Sequence, residues 1–425
     1  MPFSESPASV CSKCKGRLWC GKDRCPLLVK FYTQAKVMPL IDSTSLEGSS
    51  PPSVFIGSYN YPKVFIGPMV PPIHGDTSMM DTPEMWSGKT IEEIVDFRFQ
   101  LVRGKFLTDV QNFEGKIVEK TREIALADIS AETEIEFKTK PTGRMIINDD
   151  VQPFGPSAAL SKLDVGSYTF DRKVEKAFYD MDLKAKDAII KLYEDNVLVS
   201  KIQKAFSVGA FGLEKNRRFV PTRWSITAVD DMLSKNLVEK VKDFPLINEF
   251  RVYEHVQLDN MWIVLMVPRE WSYEQLEGWH PRTLWNPDDK VSVISDWEGN
   301  RGKKTYAATG GCYYSTRLGI AERLLEERRQ ATAITFREIN PGYIMPVGVW
   351  HTRESIRAAL KKPALKFSTL GDSLDYISKK LKIPLKEWVD STHLLRQIMN
   401  QKRLSDFLAI KSLNTIAQND KSDKK

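Results

Sequence analysis

The chain reads as an α+β protein: one large mixed body, a small cysteine knot before it, and a helical or disordered tail behind it. Three observations predict this. Helix-periodic and strand-like runs are grouped along the chain and do not alternate strictly, which favours α+β over a doubly wound sheet. Four of the five cysteines crowd into Cys11 to Cys25. The end of the chain, Asn419-Asp-Lys-Ser-Asp-Lys-Lys425, is wholly polar and cannot bury a core.

Taken in order, Thr44 to Ser53 is rich in Ser, Gly and Pro and reads as a flexible connection between knot and body. An internal echo follows, Val54-Phe-Ile-Gly57 and Val64-Phe-Ile-Gly67, which predicts two strands joined by a turn. Pro68, Pro71 and Pro72 then argue against regular structure, and His74 to Trp86 is expected to be an ordered loop. Helical periodicity starts near Thr90, and further helices are expected over 171–180, 183–193, 227–242 and 315–329. Strands are expected over 251–258 and 261–267, joined at Asp259-Asn260, and again over 291–295 and 332–336.

The 425 residues are long for a single core, so the expected division is a knot over 1–30, a body over 31–395 and a tail over 396–425. The body has room for two intimate subdomains meeting near residue 245. A hydrophobic content of 42% and a mean hydropathy of −0.34 describe a soluble chain, with no apolar run long enough to span a bilayer. Met1 to Val10 has no apolar signal-peptide region, so a cytoplasmic, reducing location is expected. The net charge of +7, 62 basic against 55 acidic residues, permits polyanion binding without requiring it.

The knot has the pattern Cys11-x2-Cys14-x5-Cys20-x4-Cys25. Thiolates bind Zn2+ tetrahedrally, and Cys11-Ser-Lys-Cys14 lets one tight turn present two sulfurs to one ion, so a structural zinc site is the preferred reading. An iron–sulfur centre, two disulfides and unrelated thiols are its rivals. Lys13, Lys15, Arg17, Lys22 and Arg24 between the ligands would give the knot a positive surface suited to a nucleic acid or an acidic protein. A staple that only holds the terminus in place is the plainer alternative.

The densest chemistry lies in Phe219-Val-Pro-Thr-Arg-Trp-Ser-Ile-Thr-Ala-Val-Asp-Asp231. With Ser225 or Thr227 as the cap, Asp230 and Asp231 would complement a helix start, and Arg217, Arg218 and Arg223 would stand before it as a phosphate site. The competing reading pairs Arg223 with one of the aspartates and merely locks the turn. A second candidate is Thr309-Gly-Gly-Cys-Tyr-Tyr-Ser-Thr-Arg317, where Tyr313 and Tyr314 could stack on a base while Arg317 takes a phosphate. It lacks the lysine and spacer of a P-loop, and core tyrosines at a tight turn explain it equally simply. Cys312 reads as a small buried hydrophobe. The five histidines, His74, His255, His280, His351 and His393, show no ligand spacing. Asp76, Asp81, Asp230, Asp231 and Glu322 are the carboxylates that could hold Mg2+ or Mn2+, were they to converge.

Near the C-terminus, Gln401-Lys-Arg-Leu404-Ser-Asp-Phe407-Leu408 has the form of the box by which proteins dock on the sliding clamp PCNA. One helical turn would unite Leu404, Phe407 and Leu408 as a plug, with Gln401 as a polar anchor. The same spacing suits an ordinary amphipathic helix, but a position beside a free polar end favours docking.

Together these segments resemble the archaeal Nre family of DNA repair proteins over nearly the whole chain. The resemblance is carried by Cys11 to Cys25-Pro26, by Tyr61-Pro-Lys-Val-Phe-Ile-Gly-Pro68 and by Gly75-Asp-Thr to Asp81-Thr-Pro-Glu-Met-Trp86. It is carried further by Leu101-Val-Arg-Gly-Lys105, by Val220 to Asp231 and by the terminal box. It implies a cytosolic factor in the response to DNA damage, with a zinc-finger-like N-terminus and a PCNA-interacting C-terminus. It implies no catalytic residues. The leading expectation is a clamp-recruited repair factor whose body binds DNA or a nucleotide through Arg223, Asp230, Asp231, Tyr313, Tyr314 and Arg317. The alternatives are a metal-dependent nuclease or nucleotide-processing enzyme, and a non-catalytic clamp adaptor.

Overall fold

Two six-stranded mixed sheets and the helices between them form the body. The computed structural model describes residues 13–18, 24–143, 154–283, 285–286 and 288–400. Among them are twelve α-helices and twelve strands, so the expected α+β class holds.

The chain enters through helix α1 (Pro26–Val37), with Pro26 at its start where a missing N–H is harmless. The first sheet has the order β1-β5-β6-β4-β3-β2, from β1 (Ser45–Ser50), β2 (Val54–Ile56), β3 (Lys63–Val70), β4 (Val102–Asp109), β5 (Ala131–Phe137) and β6 (Ser157–Val165). Only β4 and β6 run parallel. The segment read as a flexible connection is therefore mostly an edge strand, paired from Ser45 against Glu136 to Ser50 against Ala131. Its glycine is steric, since a Cβ on Gly48 would fall 1.9 Å from the Pro71 carbonyl oxygen. Pro68 likewise lies inside β3. The ladder to β4 lapses between Ile66–Phe106 and Met69–Arg103, so its missing N–H falls where no bond is needed. The echo forms the β2–β3 hairpin, as expected, with Val54, Ile56, Val64 and Ile66 in the core. β5 alternates cleanly, Ile135 and Phe137 inward and Glu132, Glu134 and Glu136 outward.

Helix α2 (Ile91–Gln100) opens on a complete capping box between Thr90 and Glu93. α3 (Lys116–Leu126) and α4 (Arg172–Tyr179) follow, and then α5 (Ala185–Glu194), α6 (Val199–Ser207) and the long α7 (Thr222–Val241). The second sheet has the order β10-β9-β11-β8-β7-β12, from β7 (Phe250–Gln257), β8 (Asn260–Val267), β9 (Ser272–Trp279), β10 (Ser292–Glu298), β11 (Thr332–Ile339) and β12 (Leu365–Phe367). The β7–β8 turn has Leu258 and Asp259 at positive φ, as a two-residue hairpin requires. β11 is buried along its whole length, as a central strand should be.

Helices α8 (Gly311–Glu327) and α9 (Trp350–Leu360) cover one face of the second sheet. The other face takes α10 (Leu370–Lys380), α11 (Leu385–Ser391) and α12 (Leu394–Asn400). One hydrophobic cluster runs from the first sheet through α6, α7 and α8 to the second. Buried carboxylates anchor the C-terminal helices: Glu338 accepts from the Lys382 and Ile383 amides, and Glu274 from those of His393 and Leu394. No described helix is long and apolar enough to cross a membrane.

Candidate nucleic-acid interface

Helix α7 starts five residues before Thr227. Pro221 sits at the N-cap position, Thr222 is the first helical residue, and neither Ser225 nor Thr227 caps the helix. The Thr222 hydroxyl instead accepts from the Ile56 amide at 2.9 Å, which ties the β2–β3 hairpin to the helix start. This early start moves Asp230 and Asp231 into the third turn, away from the positive end they were expected to complement.

The helix therefore divides the predicted residues. Arg223 lies in the exposed first turn. Asp230 is completely buried, 3.0 and 3.3 Å from the Arg353 guanidinium and 2.9 Å from Gln203. Burial pushes its carboxyl up to about 6, against the pull of Arg353. Asp231 binds Lys235 at 2.7 Å and pairs with Arg317. Arg317 is itself buried, held by Glu298 at 2.6 Å and the Ser234 hydroxyl at 3.0 Å.

Tyr313 and Tyr314 also lie inside, because α8 starts at Gly311 and not at Ser315 and turns both rings toward the core. Arg317 stands 5.7 and 5.5 Å from their centroids. Asp231, Tyr313, Tyr314 and Arg317 thus do come together, but as a packed α7–α8 contact with no open face for a base. The expectation that they bind a nucleotide is corrected accordingly, and so is the place of Asp230. Arg217 leaves the phosphate reading too, since its guanidinium is used up on the carbonyls of Gly212, Phe178 and Asp180.

The carboxylates proposed as metal ligands are dispersed. Asp81 is buried; burial opposes its charge, but Lys204 and Arg98 hold its pKa below the ordinary value. Glu322 pairs with Arg357 at 2.5 Å, and Asp76 caps the Ser78 amide at the surface. Among the described residues no three His, Cys, Asp or Glu side chains gather as a metal site. Burial pushes the Cys312 thiol up to about 11, so it is protonated at neutral pH. Cys14 and Cys25 are described, Cys14 buried and Cys25 at the N-cap of α1. Cys11 and Cys20, and the box residues Gln401, Leu404, Phe407 and Leu408, lie outside the described residues.

What remains exposed at the start of α7 is a surface of aromatic rings and cations. Trp224 projects beside Arg223, and its ring meets that of Tyr61 at 5.1 Å between centroids. Tyr59 stands further out on the same hairpin turn. Lys63, Lys184, Arg218 and Arg223 are exposed, and among the described residues none of the four forms a salt bridge. A groove of about 480 Å³ adjoins them, lined by Phe206, Phe211 and Val220 with Lys184 and Arg218. Aromatic faces beside unpaired cations are the chemistry that nucleic acids bind. Reading the sequence placed Arg223 here but missed Tyr61 and Trp224; the pairing of Arg223 with Trp224 in the first turn of a helix was the available signal.

The surface rests on a polar network that joins distant segments. Ser53 donates to Asp81, Arg98 binds Asp81 at 2.5 Å, and Lys204 reaches it from α6 at 3.3 Å. Glu84 accepts from the Ser200 amide at 2.9 Å and lies 3.7 Å from Arg353, the partner of Asp230. Arg103 lies over Phe55 and Phe154 at 5.4 and 4.7 Å. The segments around residues 61–68, 75–86, 101–105 and 220–231 are thus neighbours in space.

Residues 19–286 match the archaeal Nre N-terminal family, and residues 298–407 match the archaeal Nre C-terminal family. The DNA repair protein NreB of Archaeoglobus fulgidus is 42% identical over 399 residues, covering 94% of this chain and 100% of the relative. NreA of the same organism, also named a DNA repair protein, is 34% identical over 89% of this chain and 95% of its own. NreA of Haloferax volcanii is 34% identical over 81% and 85%. No solved structure matches. With both family halves matched in order and relatives aligned almost end to end, this chain belongs to the archaeal Nre family.

Proposed function

We propose that this chain is a DNA repair protein, recruited to its substrate by the PCNA sliding clamp, whose body contacts DNA at the exposed start of α7. The observation that carries the proposal is the 42% identity to a protein named for DNA repair, spread over that relative's whole length. Identity so extended covers nearly the whole chain, not a single motif.

Each end of the chain has a part in this reading. Cys11, Cys14, Cys20 and Cys25 would hold a structural zinc ion, for which a four-thiol donor set within fifteen residues is chemically suited. Cys25 occupies the N-cap of α1 with no side-chain cap bond, and the positive end of a helix favours the negative charge of a thiolate centre. Gln401, Leu404, Phe407 and Leu408 follow directly on α12, whose start is held to β9 by Glu274, so the box would be presented from a fixed point. The body supplies aromatic rings and unpaired cations.

Calorimetric titration of the full-length protein against the sliding clamp of its own organism tests recruitment. Micromolar or tighter binding is expected, lost in a Leu404→Ala, Phe407→Ala double variant. Absence of binding by the native protein overturns the clamp part of the proposal. Zinc is tested separately by metal analysis of the purified protein, with about one ion per chain expected and fewer in a Cys14→Ser variant.

A further inference from the structure

We infer that the surface at the start of α7 recognises single-stranded DNA by stacking unpaired bases on Tyr61 and Trp224, an inference that rests on the reading that the body contacts DNA. Tyr59, Tyr61 and Trp224 are 78, 42 and 49% exposed, in a body that keeps most of its other large rings inside. Neighbouring exposed rings on a soluble surface mark a binding site more often than they mark chance.

These rings are held in place. The Tyr61 and Lys63 amides bond back to Ser58 and Asn60 within the hairpin turn, and the Val110 amide donates to the Pro62 carbonyl at 3.0 Å. The bond from the Ile56 amide to Thr222 fixes the hairpin against α7. Tyr61 and Trp224 meet at an interplanar angle of 50°, and both keep nearly half of their surface open to solvent. A ligand would therefore meet a preformed ledge and lose little entropy in ordering it.

The charge pattern agrees. Around the ledge Lys63, Arg218 and Arg223 have no carboxylate within reach among the described residues. Asp109, opposite Lys63 across the β3–β4 ladder, directs its carboxylate to the Gln111 amide. Such cations are available to phosphates.

Shape selects the single strand. Base faces in a duplex are covered by their neighbours, and only an unpaired base can lie flat on a protruding ring. The adjoining groove, about 480 Å³ with an apolar floor and Lys184 and Arg218 beside it, has the size and chemistry to take one further base with its phosphate outside.

Fluorescence anisotropy of full-length protein with a labelled oligothymidylate of roughly twenty nucleotides, and with a duplex of equal length, tests this. The single strand is expected to bind more tightly. Trp224→Ala should weaken it about tenfold or more with little change in salt dependence. Arg223→Ala should reduce the slope of log affinity on log salt by about 0.7. Both residues are exposed, and a melting temperature close to the native one confirms that each variant is folded. Duplex bound as tightly, or single-strand binding indifferent to Trp224→Ala, overturns this inference and leaves DNA contact by the body standing. Failure of the native protein to bind either DNA overturns both, while the clamp titration is unaffected.

Discussion

The two ends of one motif, Val220 to Asp231, have opposite fates. Arg223 and Trp224 open helix α7 at the surface, unpaired and available to a ligand, while Asp230 and Asp231, two turns later, are tied to arginines of α9 and α8. Arg223 and Asp230, seven residues apart, project to within about 20° of each other around the helix, so it is depth along α7 and not the side faced that separates them. At 100° per residue and 1.5 Å of rise, the seven positions from Arg223 to Asp230 carry the chain about 10 Å inward along α7. The buried half holds α6, α7, α8 and α9 together, and the exposed half stands on that support.

If the comparison is right, damage to the buried half should unfold the protein. Arg353 is completely buried and serves Asp230, Glu84 and Glu354 at once. Arg353→Ala would leave Asp230 a buried charge without its partner, with an expected loss of roughly 3–5 kcal/mol in denaturant unfolding. A loss below about 1 kcal/mol would show that the site relaxes to admit water, and the contrast between the two halves would weaken.

Titration sharpens the same point from the other direction. A carboxyl raised from 3.8 to about 6 keeps its proton in the folded state over a range where the unfolded chain has already released it. Its contribution to stability is complete below about pH 4 and disappears as pH rises through about 6, which amounts to roughly 3 kcal/mol. An Asp230→Asn variant has no such proton to lose. Unfolding free energies measured at pH 4 and pH 7 should therefore show the variant gaining on the native protein by about that amount across the interval. A variant that falls behind instead would mean that attraction to Arg353 outweighs burial.

Much of the architecture was legible. The β2–β3 echo and the helix beginning near Thr90 are local signals, set by residues within a few positions of one another, and the structure contains both; the β7–β8 hairpin is there too, with its two-residue turn at Leu258-Asp259, one position before the expected Asp259-Asn260. Two kinds of information were not local. The serines and glycine of 45–50 look flexible until a partner strand and the Pro71 carbonyl close over them. Pro68 is tolerated because of where the β3–β4 ladder breaks, which depends on a strand some thirty-five residues away. The candidate site failed for a related reason. Arg317 and the tyrosines of α8 carry ligand-binding chemistry in their formulae, but a start four residues earlier than Ser315 turns them toward Glu298, Asp231 and the core. Trp224 has the opposite history: large aromatic residues are ordinarily buried, and only the fold shows this one standing in solvent.

The smallest expected effect is the most discriminating. Arg223 makes no ion pair among the described residues, so Arg223→Ala should change unfolding free energy by no more than about 0.5 kcal/mol, and Trp224→Ala, which gives up the contact with Tyr61, by about 1 kcal/mol, well short of the loss in Arg353→Ala. Repair of damaged DNA in cells carrying either variant should nevertheless fall toward that of cells without the protein, at unchanged protein abundance. Melting temperature and abundance measured beside survival after damage separate the two halves of α7 in one experiment. A buried-half variant loses function because the chain unfolds, whereas an exposed-half variant loses it while folded. Should Trp224→Ala lower the melting temperature as far as Arg353→Ala does, the ledge would be a structural contact between hairpin and helix, and its exposure would have no part in function.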